Sequence, residues 1–286
     1  MTDSGPALTP QDEKALQALI AWWADAGIEM DAPIMAPRPV APTAPAPRSE
    51  PVPDRRRTAP AEPVRAATPQ AARAAGFGDA GSGGPSARTL AAGADSLDAL
   101  HEAISQFDGC ALKRTARNTL FARGDRAARV MVIGDAPGRD EDERGEPFAG
   151  QTGQLMDRML AAIGIERDAA YLTYVLNWRP PGNRAPTQDE IALCLPFAER
   201  HIALKKPDVL VLAGGLSAQA LLRSEAPITR LRGRWTDYAV RDSSGEPTEA
   251  TIPTLPIFHP GYLLRRPTEK RLAWQDLLAL ASKLNH

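Results

Sequence analysis

Val130-Met131-Val132-Ile133-Gly134-Asp135-Ala136-Pro137-Gly138 is the stretch on which the fold turns. A short, unbroken apolar run that stops at a glycine is the pattern of a strand covered on both faces, where no alternation with polar residues is needed. Tyr171 to Leu176, Val209 to Leu212 and Leu255 to Phe258 repeat it. Between these runs the period becomes helical. Leu155, Met156, Met159, Leu160 and Ile163 share one face, Thr187-Gln188-Asp189-Glu190 is a capping box opening a helix toward His201, and Ser217 to Leu222 and Thr268 to Leu284 supply two more. Strands alternating with helices predict an α/β fold over residues 96–286: a three-layer α/β/α sandwich with a central, mostly parallel sheet. Ligands of such sheets meet the carboxyl ends of the strands.

N-terminal to this region the composition changes. Asp31 to Gln70 holds eleven Pro and nine Ala in forty residues, which predicts an extended, solvated Pro/Ala-rich linker, disordered over 31–95 once the following Ala-Gly-Ser residues are counted. Thr9-Pro10-Gln11-Asp12 reads as an N-cap, a first-turn proline and an acidic third position. Leu16, Leu19, Ile20 and Trp23 follow at helical spacing up to Gly27, so residues 1–30 are expected to carry a tethered amphipathic helix. Such a helix cannot bury its apolar face alone; it packs on the chain's own domain or, over residues 9–27, docks a protein partner.

The 34 Lys and Arg residues nearly cancel the 35 Asp and Glu residues of the 286-residue chain, which excludes a grossly basic chromatin-type protein and a grossly acidic solvating one. Cys110 and Cys194 are the only cysteines, too few for a disulfide framework or for a complete four-Cys cluster or zinc site. No apolar run approaches the roughly 20 residues of a membrane-spanning helix, and the opening residues lack a secretory pattern. The expectation is a soluble, cytoplasmic, nucleoid-associated protein without membrane contact.

Two loops at strand ends carry the chemistry. The first runs from Gly134-Asp135-Ala136-Pro137-Gly138 through Asp140-Glu141-Asp142 to Gly145-Glu146-Pro147-Phe148-Ala149-Gly150. It matches neither the dinucleotide fingerprint nor the P-loop. The second is Phe258-His259-Pro260-Gly261-Tyr262-Leu263-Leu264-Arg265-Arg266-Pro267, in which a histidine can donate to a developing anion and leucines flanked by arginine suit a wedge between stacked bases. A third block lies between them: Arg179-Pro180-Pro181-Gly182-Asn183-Arg184-Ala185-Pro186-Thr187, followed by Glu190 and Cys194.

Taken in order, these three blocks resemble the uracil-DNA glycosylase superfamily, closest to its family 4. The resemblance covers nearly all of residues 96–286. It implies a monofunctional enzyme that hydrolyses the N-glycosidic bond of uracil, and of other deaminated bases, in DNA. By the same resemblance Asp135 positions the attacking water or stabilises the cationic sugar, His259 donates to a base carbonyl, and Glu141 is a second carboxylate. Phe148 stacks on the extruded base, backbone N–H groups at Gly134 and Ala136 assist, Leu263 and Leu264 are wedge candidates, and Arg184 and Arg265 contact DNA.

Three positions depart from the family pattern. Its iron–sulfur cluster uses four cysteines; here Lys113 and Trp178 stand where the second and third belong, so the cluster is expected to be absent and no metal is assigned. Asp135 replaces a glutamate, which shortens the carboxylate's reach. Tyr174 replaces an asparagine that reads the base edge, which predicts altered base discrimination.

Charge clusters at Lys113 to Arg129 (net +5), Arg223 to Arg234 (net +3) and Arg265 to Arg271 (net +3) are further candidates for phosphate contacts. Two other readings compete: a non-catalytic damaged-DNA binder or repair adaptor, and a small-molecule nucleotide hydrolase.

Overall fold

The computed structural model describes residues 85–284. Helices α1 (Ala87–Gly93) and α2 (Leu97–Gln106) lead to β1 (Val130–Gly134), α3 (Arg139–Arg144), α4 (Gly150–Ala161) and β2 (Ala170–Tyr174). Helix α5 (Gln188–Lys205), β3 (Val209–Ala213), α6 (Gly215–Leu222) and α7 (Ile228–Leu231) follow. The chain ends with β4 (Thr236–Arg241), β5 (Pro247–Ile257), α8 (Pro260–Arg265) and α9 (Lys270–Leu284).

The five strands lie in the order β2-β1-β3-β5-β4. The first four are mutually parallel and β4 runs antiparallel at the edge. Because successive side chains point to opposite faces, Met131 and Ile133 enter one core and Val130 and Val132 the other. Leu100 and Ile104 of α2, Phe197 and Ile202 of α5 and Leu221 of α6 close the first face. Leu155 and Met159 of α4, Leu263 of α8 and Leu277 and Leu280 of α9 close the second. The α/β/α sandwich read from the pattern is the observed architecture.

The capping box is formed as expected: Thr187 Oγ1 accepts the Glu190 N–H at 3.2 Å, and Glu190 Oε2 accepts the Thr187 N–H at 2.8 Å. Strand β4 and the first half of β5 were not anticipated. They are mostly exposed and so carry little apolar signal. Asp242 builds the turn between them, its Oδ1 accepting from Ser244 N–H, Ser244 Oγ and Glu246 N–H.

The helix expected over 9–27 and most of the spacer lie outside the described residues. The spacer's expected end at 95 is corrected: α1 forms within it, with Ser86 Oγ accepting the Thr89 N–H and Ala87 and Ala91 buried in the first core. Alanine is the best helix former, and a buried partner surface turns an apparently low-complexity stretch into a helix. No helix among the described residues is long and apolar enough to cross a membrane.

Candidate active site

Register brings the strand ends level. Gly134 of β1 pairs with Tyr174 of β2 and Ala213 of β3, and Ala213 pairs with Ile257 of β5. The residues that follow these ends, Asp135, Gly214 and Phe258-His259, therefore emerge along one edge of the sheet. Sequence reasoning missed Gly214 and Ser217. Asp135 Oδ1 accepts the Ser217 N–H at 2.7 Å, in the first turn of α6. Gly214 has no side chain to cap that helix, so the Asp135 carboxylate does so. A Cβ at Gly214, which has φ +136°, would collide with that carboxylate. The available signal was the Gly-Gly pair following an apolar run, the pattern already read after β1.

His259 is fixed from its own helix. Its Nδ1 accepts the Gly261 N–H at 3.1 Å, so the neutral ring carries its proton on Nε2. That Nε2 is sealed from solvent and has no hydrogen-bond partner among the described residues. Burial pushes the imidazole below its ordinary pKa, the charge of Asp135 pulls it back, and Arg265 adds to the downward push. A carboxylate and an unpartnered N–H donor thus act on each other across the carboxyl edge of the sheet.

Phe148 lies at the site, its ring centroid 6.1 Å from that of His259, and it packs on Tyr174. Both are buried, at 1% and 3% exposure, and their rings stack on each other with centroids 4.7 Å apart and planes 15° apart. The Tyr174 hydroxyl accepts the Phe148 N–H at 3.1 Å and contacts the Glu141 carboxyl. Burial, with Glu141 beside it, holds the phenol protonated, so it donates to Glu141. The Phe148 face turned toward Tyr174 is therefore covered by the protein's own ring, and the Tyr174 hydroxyl is not free to read a base. Phe148 sits at φ +53°, a left-handed conformation that a bulky residue adopts only when its surroundings impose it. Gly134 permits the arrangement, since a Cβ there would lie 2.6 Å from the Tyr174 ring and 2.8 Å from that of Phe148.

Glu141 serves as a cap for α3. It is buried, its Oε2 accepts the Gly138 N–H at 2.9 Å, and burial raises its pKa. Its neighbour Asp142 is also buried and accepts N–H groups of Arg117 and Asn118 at 2.8 and 3.1 Å. The acidic run Asp140 to Glu143 thus turns one wall inward because it forms α3 against the loop after α2.

Of the two leucines only Leu264 can be a wedge. It is 38% exposed, whereas Leu263 is wholly buried in the second core. Arg184 makes a two-bond fork to Glu190 at 2.6 and 2.8 Å, which removes it as an uncommitted DNA contact. The cluster at 113–129 is largely spent on ion pairs: Lys113 with Asp108, Arg123 with Asp157, Arg126 with Asp98 and Arg129 with Asp208. Arg223 and Arg232 likewise meet Glu199 and Asp276. Among the described residues Arg265, Arg266 and Arg271 are in no ion pair, so a positive patch persists beside Leu264; Arg230 and Arg234 of the middle cluster are in none either.

On the other face, Cys110, Cys194, Phe107 and Trp178 share one core. The two thiols hydrogen-bond to each other, which favours the ionised form of Cys110 and the protonated form of Cys194. The Trp178 indole is wholly buried and donates Nε1–H to Thr119 Oγ1 at 2.9 Å. Lys113 Nζ donates to the Ser105 carbonyl at 2.6 Å and to Asp108 at 2.7 Å.

A family model described as the uracil DNA glycosylase superfamily matches residues 121–278. A type-4 uracil-DNA glycosylase of Pyrobaculum aerophilum is 33% identical over 186 residues, covering 63% of this chain and 91% of that protein. That of Archaeoglobus fulgidus is 36% identical over 177 residues, covering 60% and 85%. That of Thermotoga maritima is 30% identical over 184 residues, covering 63% and 91%. With its sheet, its strand-end loops and these relatives in accord, the chain belongs to the uracil-DNA glycosylase superfamily.

Proposed function

We propose that this protein hydrolyses the N-glycosidic bond of uracil in DNA, with Asp135 and His259 as its catalytic residues. The observation that carries the reading is that the sheet register brings Asp135 and His259, with its sealed, unpartnered Nε2–H, out along the same carboxyl edge of the sheet. Bond cleavage places positive charge on the sugar and negative charge on the departing base. Ser217 N–H anchors Oδ1 of Asp135, leaving Oδ2 to hold the attacking water beneath the sugar. The neutral imidazole donates from Nε2 to the oxygen on which the base's charge develops, a donor fixed in place before the reaction begins. Its unpaired state in the free protein adds to the driving force, since a buried donor gains most when its acceptor arrives. Backbone N–H groups of the first loop add to the same stabilisation.

Base discrimination follows from Tyr174. Without an amide at this position, and with the phenol engaged by Phe148 and Glu141, the base is read by donors alone. Selection for uracil over other bases carrying a carbonyl in the same place is weaker than an amide gives.

The residues at the cluster positions do not fit a four-thiolate iron–sulfur centre. Two thiols remain, at the first and fourth positions; an ammonium bound to Asp108 and Ser105 stands at the second, and an indole fills the third. Neither indole nor ammonium ligates iron. The reaction is accordingly assigned to the protein's own side chains. The segment at 9–27, on its spacer, is assigned to docking a protein partner.

A second reading, a damaged-DNA binder without turnover, is favoured by one observation: the ring of Tyr174 covers a face of Phe148. Incubation with a uracil-containing oligonucleotide followed by alkali separates the two. Strand scission is expected; binding without abasic product would select the binder. In Asp135→Asn the carboxamide keeps an oxygen for Ser217 but loses the charge, and turnover should fall by about 100-fold or more with DNA affinity retained. An unchanged rate removes Asp135 from the mechanism.

A further inference from the structure

Helices α4 and α8 meet beside the imidazole. A Cβ on Gly261 would lie 3.1 Å from His259 Nδ1 and 3.6 Å from Thr152 Oγ1, so the first turn of α8 abuts α4 at Thr152. Along the same seam the surface opens into a groove of about 320 Å³. Gln151, Gln154 and Arg158 of α4 line it, together with Leu264, Pro267 and Lys270 from the segment after His259. Gln151 and Gln154 are exposed and three residues apart, so their amides are neighbours on one helix face. No acidic side chain lines the groove.

We infer that this groove is a subsite for the nucleotide next to the extruded one, with its base edge on Gln151 and Gln154. The inference rests on the glycosylase reading above. Carboxamides present a donor and an acceptor side by side, the pattern that pairs with a base edge. Leu264 and Pro267 supply apolar contact for a base face, and Leu264 is also the exposed leucine able to hold a stack open. Arg265 and Arg266 beyond Leu264 set a positive field for the phosphate. An acidic peptide would find the same cations, but it would leave the glutamine amides and the continuity with His259 unused. The subsite gives the protein a preference for particular bases beside uracil, which Asp135 and His259 cannot supply.

The test uses the full chain and duplexes that differ only in the bases flanking a single uracil. Relative kcat/KM is measured for the protein with and without Gln151→Ala and Gln154→Ala together. Affinity for the same set is measured in the Asp135→Asn background. Flanking bases should spread the wild-type rates and affinities by about fivefold or more. The paired alanines should flatten both profiles while the rate on the least favoured neighbour changes less than about twofold. Alanine favours the helix, so folding is preserved. Profiles that coincide with and without the glutamines overturn the subsite, as does an effect confined to acidic peptides. Neighbour-dependent affinity that disappears in the alanine variant, from a protein that never yields abasic sites, supports the subsite and overturns the catalytic reading instead.

Discussion

Replacing Tyr174 by Phe isolates one oxygen. The aromatic stack on Phe148 stays, and so does the close fit over Gly134. What disappears is the acceptor for the Phe148 N–H, 3.1 Å away, and the donor to Glu141. Phe148 is 1% exposed, so water does not replace the lost partner. A buried N–H left without an acceptor costs about 1–3 kcal/mol. Glu141 keeps its bond from Gly138, and burial already favours its neutral form, which limits the second loss to about 1 kcal/mol. Tyr174→Phe should therefore destabilise by about 2–3 kcal/mol, lowering the urea midpoint by about 1 M for a slope near 2 kcal/mol per molar. The same bond helps hold Phe148 at φ +53°, so the loop relaxes and kcat/KM on uracil falls with it. Tyr174→Asn should lose more stability, because a buried ring is emptied, at about 3–5 kcal/mol. It also uncovers the face of Phe148 and supplies an amide, so selectivity for uracil over hypoxanthine should rise above that of Tyr174→Phe. A Tyr174→Phe protein with an unshifted midpoint and unchanged kinetics would refute the claim that this hydroxyl organises the site.

The adjacent leucines should separate cleanly. Leu263→Ala empties a fully buried site and should cost about 2–5 kcal/mol of stability. Leu264→Ala should leave the denaturation midpoint within about 0.5 kcal/mol and weaken action on paired more than on single-stranded uracil; the opposite assignment of effects refutes the wedge. His201, stacked on Phe121 and hydrogen-bonded to the Tyr171 hydroxyl at 2.8 Å, is pushed down by burial to about 3. Its folded pKa lies below the unfolded value near 6.5, so its contribution to stability is intact above 6.5 and is lost as pH falls from there toward 3. At pH 4.5 the loss is on the order of 2–3 kcal/mol, and denaturation of His201→Gln should lack that part of the pH slope; identical slopes refute it. Protein purified under anaerobic conditions should carry less than one iron per chain and no visible iron–sulfur absorbance, and a brown, iron-loaded preparation would overturn the reading of Lys113 and Trp178.

The sheet was legible because β1, β2, β3 and the second half of β5 are buried on both faces, so each is written as an apolar run. Strand β4 was not legible, because at the edge only Tyr238 of its six residues is buried. At the site, Asp135 and His259 could be read from their place after strands. The roles of Phe148, Tyr174 and Glu141 could not, because they depend on which ring meets which across two strands. A motif transfers a residue's chemistry but not its neighbours: once Tyr stands where an amide is expected, the partner of Phe148 changes. Leu263 and Leu264 show the same limit within one helix, where adjacent positions point about 100° apart and a single turn decides between core and surface.

The loop after β2 is held by packing and by hydrogen bonds of its own residues. A tryptophan buries roughly 150–250 Å² of surface, about 4–6 kcal/mol as an upper bound at 25 cal/mol per Å². Trp178 applies that burial beside Cys110 and Cys194 and anchors its indole N–H on Thr119. The next residue, Arg179, lies 3.9 Å from Asp142, the carboxylate that also holds the Arg117 and Asn118 N–H groups. Asn177 Nδ2 donates to the Leu120 carbonyl at 2.9 Å. Segments 117–120 and 177–179 are thus bound by apolar packing, one buried carboxylate and backbone-directed hydrogen bonds, all independent of metal. What such a core does not reproduce is a covalent link across long stretches of sequence. The stability of this region therefore rests on the packing of Trp178 against Phe107, with Cys110 and Cys194 buried in the same core.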